Sequence, residues 1–222
     1  MLQNCKLTYF NIPGRGEAIR LALTLGGISF TDERIQFSDW RETIKPTTPY
    51  GSLPVLVLSN GSVVAQQRAI LRFVGKETSL YPNDSFEAAK VDEMMDACED
   101  IISKTFAVGS GLEKEEKEAA RMEACKEGGV TYEMLKKIDT VISSNKGEYI
   151  VGDHLTIADL FLFQNTSNLI SGLYDGVPSN ALDSFPAIAN IRKKVRSNPE
   201  ICKYYDGLVD SINVPDAYKV QH

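Results

Sequence analysis

The stretch "LPVLVLSNGSVVAQQRAI", Leu53–Ile70, holds three structural signals in one run. Leu53–Leu58 is apolar and rich in branched side chains, and Asn60-Gly61 follows closely, so it reads as a buried strand. Asn-Gly is the strongest short hairpin signal, because both central positions of that turn need φ > 0. The chain therefore returns through Val63–Ala65 as an antiparallel partner. "QQRAILRFVGK" then closes the unit as a helix. The proline that opens the strand leaves two readings. It can be a trans proline at a strand start. It can also follow a cis bond, since X-Pro is the one place where cis is cheap, and so leave the Leu53 backbone available to a peptide-like ligand.

Upstream, residues 5–10 alternate, with Leu7 and Tyr9 on one face and Thr8 and Phe10 on the other, which predicts a strand. "RGEAIRLALTLGG" is apolar nearly all round and reads as a buried helix stopped at Gly26-Gly27. "ISFTDERI" predicts a second strand, and a loop with Trp40, Pro46 and Pro49 leads to Leu53. The order is β-α-β-(α or loop)-β-β-α. A helical crossover makes part of the sheet parallel, and the hairpin adds an antiparallel pair.

Downstream the strand patterns stop. The expected organisation is an α/β domain over 1–76, a polar linker over 77–86 and an all-helical domain over 87–222. The helical stretches are "AAKVDEMMDACEDIISKTF", a segment entered through "EKEEKE", "TYEMLKKIDTVISS", "TIADLFLFQNTSNLI", "PAIANIRKKV" and "PEICKYYDGLV". Thr156 is placed to cap one of them, with Asp159 three residues on as the reciprocal partner.

Composition bounds the function. The chain has 222 residues, 43% hydrophobic and 24% charged, enough for two small domains with their own cores. Its formal net charge of −6 argues against a nucleic-acid binder. Cys5, Cys98, Cys125 and Cys202 are widely spaced, as free thiols in a reducing compartment would be. No apolar run is long enough to span a bilayer, and the first residues do not read as a secretory signal. The N-x-S/T patterns at Asn60, Asn83 and Asn165 read as chance matches without export. The expected location is cytoplasmic, with no membrane or nucleic-acid partner.

The usual catalytic patterns are missing. The histidines are His154, which reads as part of a helix entry, and His222. No nucleophile elbow, metal-ligand spacing or phosphate loop occurs. Three features remain. Tyr9 ends a strand just ahead of a Gly-rich turn. Pro54 opens the central strand. Gln66 and Gln67 stand at a helix start, where backbone N–H groups and the dipole suit a carboxylate. Each also has a structural reading, as a packed strand tyrosine, a strand-start proline and an ordinary polar helix start.

Together, and in this order, the three resemble the cytosolic glutathione S-transferase family, in its tyrosine-type branch and closest to the sigma class. "KLTYFN" followed by "GRGEAIR" is similar to the family's opening, and "YGSLPVL" to its cis-proline segment. "QQRAI" resembles its Gln-Ser-x-Ala-Ile block, and "VDEMMDACED" the acidic helix facing a partner subunit. "GDHLTIADL" and "FPAIANIRKKVRSNPEICKYY" are similar to its capped core helix and closing helices. The resemblance covers almost the whole chain. It implies a thioredoxin-like N-terminal domain, a helical C-terminal domain, a homodimer, and glutathione as co-substrate without a metal.

It also implies roles. Tyr9 is the catalytic donor to the glutathione thiolate. A free thiol of pKa about 8.5 is only about 3% ionised at pH 7. Lowering that pKa by about two units ionises roughly three quarters and takes about 2.7 kcal/mol, within reach of one charge-assisted hydrogen bond. No histidine base is then required. Arg15 supports Tyr9 or the thiolate. Leu53 and Pro54 hold the cysteinyl part, and Gln66 and Gln67 the γ-glutamyl end. Trp40 and Lys45 reach the glycine carboxylate. Asp100 approaches the partner subunit's site. Phe10, Ile12, Pro13 and Phe106 line the site for a hydrophobic electrophile, and Tyr50 lies in the dimer interface. The chain departs from the pattern at Gln67, where the family carries Ser or Thr, at Ser52, where many members carry Gln or Lys, and at Pro13, often basic in the sigma class. The implied activity is conjugation of glutathione to hydrophobic electrophiles in detoxification. The alternatives are a glutathione-dependent isomerase or peroxidase, or a weakly catalytic binding or structural protein of the same fold.

Overall fold

The computed structural model describes residues 2–208 and 214–218. The chain divides into two compact units, Met1–Asn83 with Ser197–Val214, and Asp84–Arg196 with Pro215–His222.

The first unit is built on four strands, β1 (Cys5–Phe10), β2 (Phe30–Ile35), β3 (Val55–Val57) and β4 (Val63–Ala65), in the order β2-β1-β3-β4. β1 and β2 run parallel, joined by helix α1 (Glu17–Leu25). The pairs β1–β3 and β3–β4 are antiparallel. Gly61, at φ 85°, makes the hairpin turn that Asn60-Gly61 predicts. The segment after β2, read as α or loop, holds short helical turns, α2 (Phe37–Asp39) and the stretches Trp40–Ile44 and Lys45–Thr47. Helix α3 (Gln67–Glu77) follows β4. Leu7, Ile19, Leu21, Leu56, Ile70 and Leu71 form the core between sheet and helices. This unit is thioredoxin-like, as the family resemblance implies, and its strands and helices follow the order read from the sequence. Helix α9 (Pro199–Asp206) belongs to this unit and packs on α1. The last residue of its predicted stretch, 209, lies outside the described residues, as does His222.

The second unit is all-helical: α4 (Ser85–Ala107), α5 (Lys114–Ala124), α6 (Val130–Ser144), α7 (Ile157–Ile170) and α8 (Pro186–Arg196). α4 starts at Ser85, earlier than the periodicity suggests, because the Asp84 carboxylate accepts from the N–H groups of Phe86 and Glu87. α7 is buried along nearly its full length and packs against α4 and α8. Its start carries the predicted capping box: the Thr156 hydroxyl accepts from the Ala158 N–H, and Asp159 accepts the Thr156 N–H at 2.8 Å. Asp159 also accepts from the Ile150 N–H at 3.0 Å, tying the preceding loop to the helix.

Candidate active site

Strand register decides which residues meet. Val55 pairs with Thr8 on one side and Ala65 on the other, while Phe10 pairs with Ile35. The ends of β1, β2 and β4 and the start of β3 therefore share one end of the sheet. Tyr9 and Phe10, Leu53 and Pro54, and Gln66 and Gln67 all lie there.

Tyr9 is buried, and its hydroxyl oxygen accepts the Arg15 backbone N–H at 2.9 Å. Arg15 belongs to a tight turn over Gly14–Gly16, and its own side chain is exposed. That turn lies on the phenol ring because its two glycines carry no side chain there. A Cβ on Gly14, at φ +44°, would stand 2.8 Å from the Tyr9 hydroxyl, and one on Gly16 would stand 2.9 Å from Tyr9 Cδ1. Burial pushes the Tyr9 phenol above its ordinary range, against the Arg15 amide and the charges of Arg15 and Arg20. The hydroxyl thus stays protonated at neutral pH. An oxygen that accepts one hydrogen bond donates the next more strongly, so this phenol is a polarised donor.

The Leu53–Pro54 bond is cis, which decides between the readings left open by the sequence. Gln66 precedes α3 with φ 72° and ψ 115°, a conformation that non-glycine residues avoid. Gln67, the first residue of α3, is buried. Phe10 stacks on Phe37 with centroids 4.3 Å apart, and Trp40 meets the same ring edge-on at 5.6 Å. Ile12 is half-buried and Pro13 buried. Lys45 is exposed, and its stem runs beside Gly51, where a Cβ would lie 3.4 Å from Lys45 Cε. Tyr50 is 70% exposed.

In the second unit, Asp100 is exposed on α4, 3.6 Å from Lys104. Phe106, near the end of α4, is 65% exposed. The Arg121 guanidinium lies 5.6 Å from its ring centroid and Tyr174 meets it edge-on at 6.4 Å. His154 is exposed in the turn before α7, consistent with a helix entry. Cys5 and Cys98 are buried, and burial pushes both thiols up. Among the described residues, no group of three or more His, Cys, Asp or Glu side chains is arranged to hold a metal.

Sequence reasoning did not anticipate the closeness of Gly14 and Gly16 to Tyr9, the Phe37 stack, or Arg20. The signal for Arg20 was present. An arginine with a glutamate three residues before it, in a helix apolar nearly all round, must bury an ion pair, and Arg20 and Glu17 meet at 3.0 Å, both buried.

Residues 5–76 match the family described as glutathione S-transferase, N-terminal domain, and residues 88–207 the glutathione S-transferase C-terminal domain. A probable glutathione S-transferase 8 of Caenorhabditis elegans is 32% identical over 210 residues, covering 90% of this chain and 95% of that protein. The hematopoietic prostaglandin D synthase of Mus musculus is 32% identical over 200 residues, covering 90% and 94%. Among solved structures, a rat hPGDS complexed with a quinoline aligns with a TM-score of 0.78 at 29% identity, covering 93% of this chain and 98% of that one. The monomeric Na-GST-3 of Necator americanus aligns at 0.77 and 30%, with the same coverages.

Proposed function

Because the chain belongs to the glutathione S-transferase family, we propose that its glutathione transferase activity runs on Tyr9, whose hydroxyl donates a hydrogen bond to the thiolate of bound glutathione. The observation that carries this reading is the Arg15 N–H on the Tyr9 oxygen at 2.9 Å. With that oxygen already accepting, the phenol proton is the group left to offer, and a proton donor next to sulfur favours the anion. The glutathione thiol gives its proton to solvent, and the thiolate lone pair then forms the new C–S bond as the electrophile's bond to its leaving group breaks and that group departs with the electron pair, while Tyr9 keeps its own proton throughout.

The remaining roles rest on the family resemblance, supported for Leu53, Pro54, Gln66 and Gln67 by their place at the same end of the sheet as Tyr9. Leu53 and Pro54 present backbone to the cysteinyl unit, and Gln66 and Gln67 take the γ-glutamyl end. The buried start of α3 supports an anion through its dipole. Trp40 and Lys45 serve the glycine carboxylate, and Arg15 screens the thiolate. Asp100 acts across a homodimer in which Tyr50 is buried. Phe10, Ile12 and Pro13 receive an apolar electrophile. The pattern is closest to the sigma class, and the setting is detoxification in the cytoplasm. A second reading, glutathione-dependent isomerisation, is favoured by the relatives named prostaglandin D synthases.

The test is the absorbance of the glutathione thiolate against pH in the bound state, with Tyr9→Phe as the control. A thiol pKa well below that of free glutathione, moved back up in Tyr9→Phe, supports the reading. Binding with an unlowered pKa rejects it and leaves the fold as a binding scaffold.

A further inference from the structure

We propose that Arg20 is a positioning residue for Tyr9, holding in place the turn that polarises the phenol. This rests on the Tyr9 reading above and adds to it a residue that touches neither glutathione nor electrophile.

The Arg20 side chain is 0% exposed. Its Nη1 donates to the carbonyls of Ile12 and Pro13, both at 3.1 Å, and its Nη2 to the carbonyl of Phe10 at 3.5 Å. Those carbonyls belong to the chain that leaves β1 and enters the Gly14–Gly16 turn. The same guanidinium is held from below. Nη1 also donates to Glu17 at 3.0 Å, and Nε donates to Asp32 on β2 at 2.9 Å. Asp32 in turn accepts from Arg34 at 2.6 Å, and Arg34 donates to the Tyr204 hydroxyl on α9 at 3.1 Å. The guanidinium carbon lies 5.7 Å from the Tyr9 ring centroid.

A guanidinium in this place does two things. Its planar fork ties the carbonyls of Phe10, Ile12 and Pro13 to a fixed point, so the turn that follows cannot lift from the ring. The Arg15 N–H is thereby kept on the Tyr9 oxygen. Its positive charge, flanked by the carboxylates of Glu17 and Asp32, the Arg34 guanidinium and the Tyr204 hydroxyl, also sits beside the phenol. Glu17 and Asp32 keep the charge in place despite burial. Two polar atoms of this cluster, Glu17 Oε1 and Arg34 Nη1, are buried without a hydrogen-bond partner. Such groups are costly to bury, and their retention beside Tyr9 fits a cluster kept for geometry.

The experiment compares bound glutathione in the wild type, Arg20→Lys and Tyr204→Phe, reading thiol pKa, kcat and KM together with thermal stability. Lysine keeps the charge and cannot reproduce the fork. The expected result is a thiol pKa raised by about one unit in Arg20→Lys, with kcat reduced and KM for glutathione little changed. Tyr204→Phe loosens the outer end of the cluster, so it loses stability and keeps the wild-type thiol pKa. A folded Arg20→Lys with an unchanged thiol pKa overturns the proposal, as does a Tyr204→Phe that shifts it equally. If Arg20→Lys fails to fold, Asp32→Asn releases the guanidinium on one side, and the absence of any rise in thiol pKa there overturns it too. An unlowered thiol in the wild type overturns the Tyr9 reading itself, and with it this one, so the two failures are distinct.

Discussion

The backbone N–H of Arg15 donates to the hydroxyl of Tyr9 at 2.9 Å, across a turn with no side chain at Gly14 or Gly16 to hold the two apart. That hydrogen bond makes the phenol a donor, and its loss is the first thing to measure. Tyr9→Phe removes the donor and leaves the ring. At pH 7 the thiolate fraction then falls from roughly three quarters to about 3%, so kcat falls about 25-fold and recovers as pH rises toward the pKa of the free thiol. Because burial raises the Tyr9 phenol, its ionisation adds no descending limb to the wild-type profile below about pH 10. A pH–rate profile of both proteins checks this.

Gly16 has ordinary helical angles, so an alanine there is punished only by contact. Its Cβ would stand 2.9 Å from Tyr9 Cδ1 and 3.1 Å from Arg20 Cζ. Gly16→Ala should cost about 1–3 kcal/mol of stability through overpacking and raise the bound thiol pKa as the turn moves off the ring. Urea unfolding and the thiolate titration read the two effects separately.

Gln66 holds φ 72° at the start of α3. Gln66→Gly removes strain of about 1–3 kcal/mol and loosens the unfolded chain at a smaller cost, about 0.4–1 kcal/mol. The melting temperature should therefore stay level or rise. KM for glutathione should rise about tenfold with the loss of one polar contact. A fall in stability with unchanged KM would count against the γ-glutamyl role.

Glu33 on β2 joins the sheet to β1 from the face opposite Tyr9, accepting from Thr8 at 2.6 Å and from Lys6 at 2.9 Å. Burial pushes its carboxyl up, but these bonds outweigh it and hold the pKa below the ordinary value. A depressed carboxylate contributes stability above its unfolded pKa and loses it as pH falls through the folded one. The pair is about 40% exposed, 43% for Lys6 and 40% for Glu33, so solvent screening limits the effect. Glu33→Gln should cost about 0.5–1 kcal/mol at pH 7, and the difference from wild type should shrink as pH falls below the ordinary carboxylate range and vanish only below the depressed folded value. Denaturant midpoints across that range test it.

Tyr50 exposes most of its surface. In a homodimer that buries it, Tyr50→Ala should shift the sedimentation equilibrium toward monomer while each folded subunit keeps its melting transition at high concentration. A monomeric wild type would remove Asp100 from the site along with the dimer.

Local pattern carried most of the fold. The hairpin at Asn60-Gly61, the strand 5–10 and the Thr156–Asp159 cap were legible because each depends on backbone conformations and hydrogen bonds set by neighbours in sequence. The start of α4 was less so, since Asp84 caps it inside a stretch whose polarity resembles a linker. The candidate site was proposed from a set of residue types in order: Tyr9, Pro54, and Gln66 with Gln67. Their meeting at one end of the sheet was not legible, because it depends on the register of three strand pairs.

The sequence by itself determined the element order, which follows from periodicity and turn chemistry, and its ordered motifs carried the resemblance to the family that singles out Tyr9 as the candidate donor. Only the tertiary structure decided that Leu53–Pro54 is cis, that Gly14 and Gly16 lie on the phenol, and that Arg20 grips the chain leaving β1. The physical reason is distance. A hydrogen bond or a steric contact changes over tenths of an ångström, while sequence spacing specifies only which face a side chain takes.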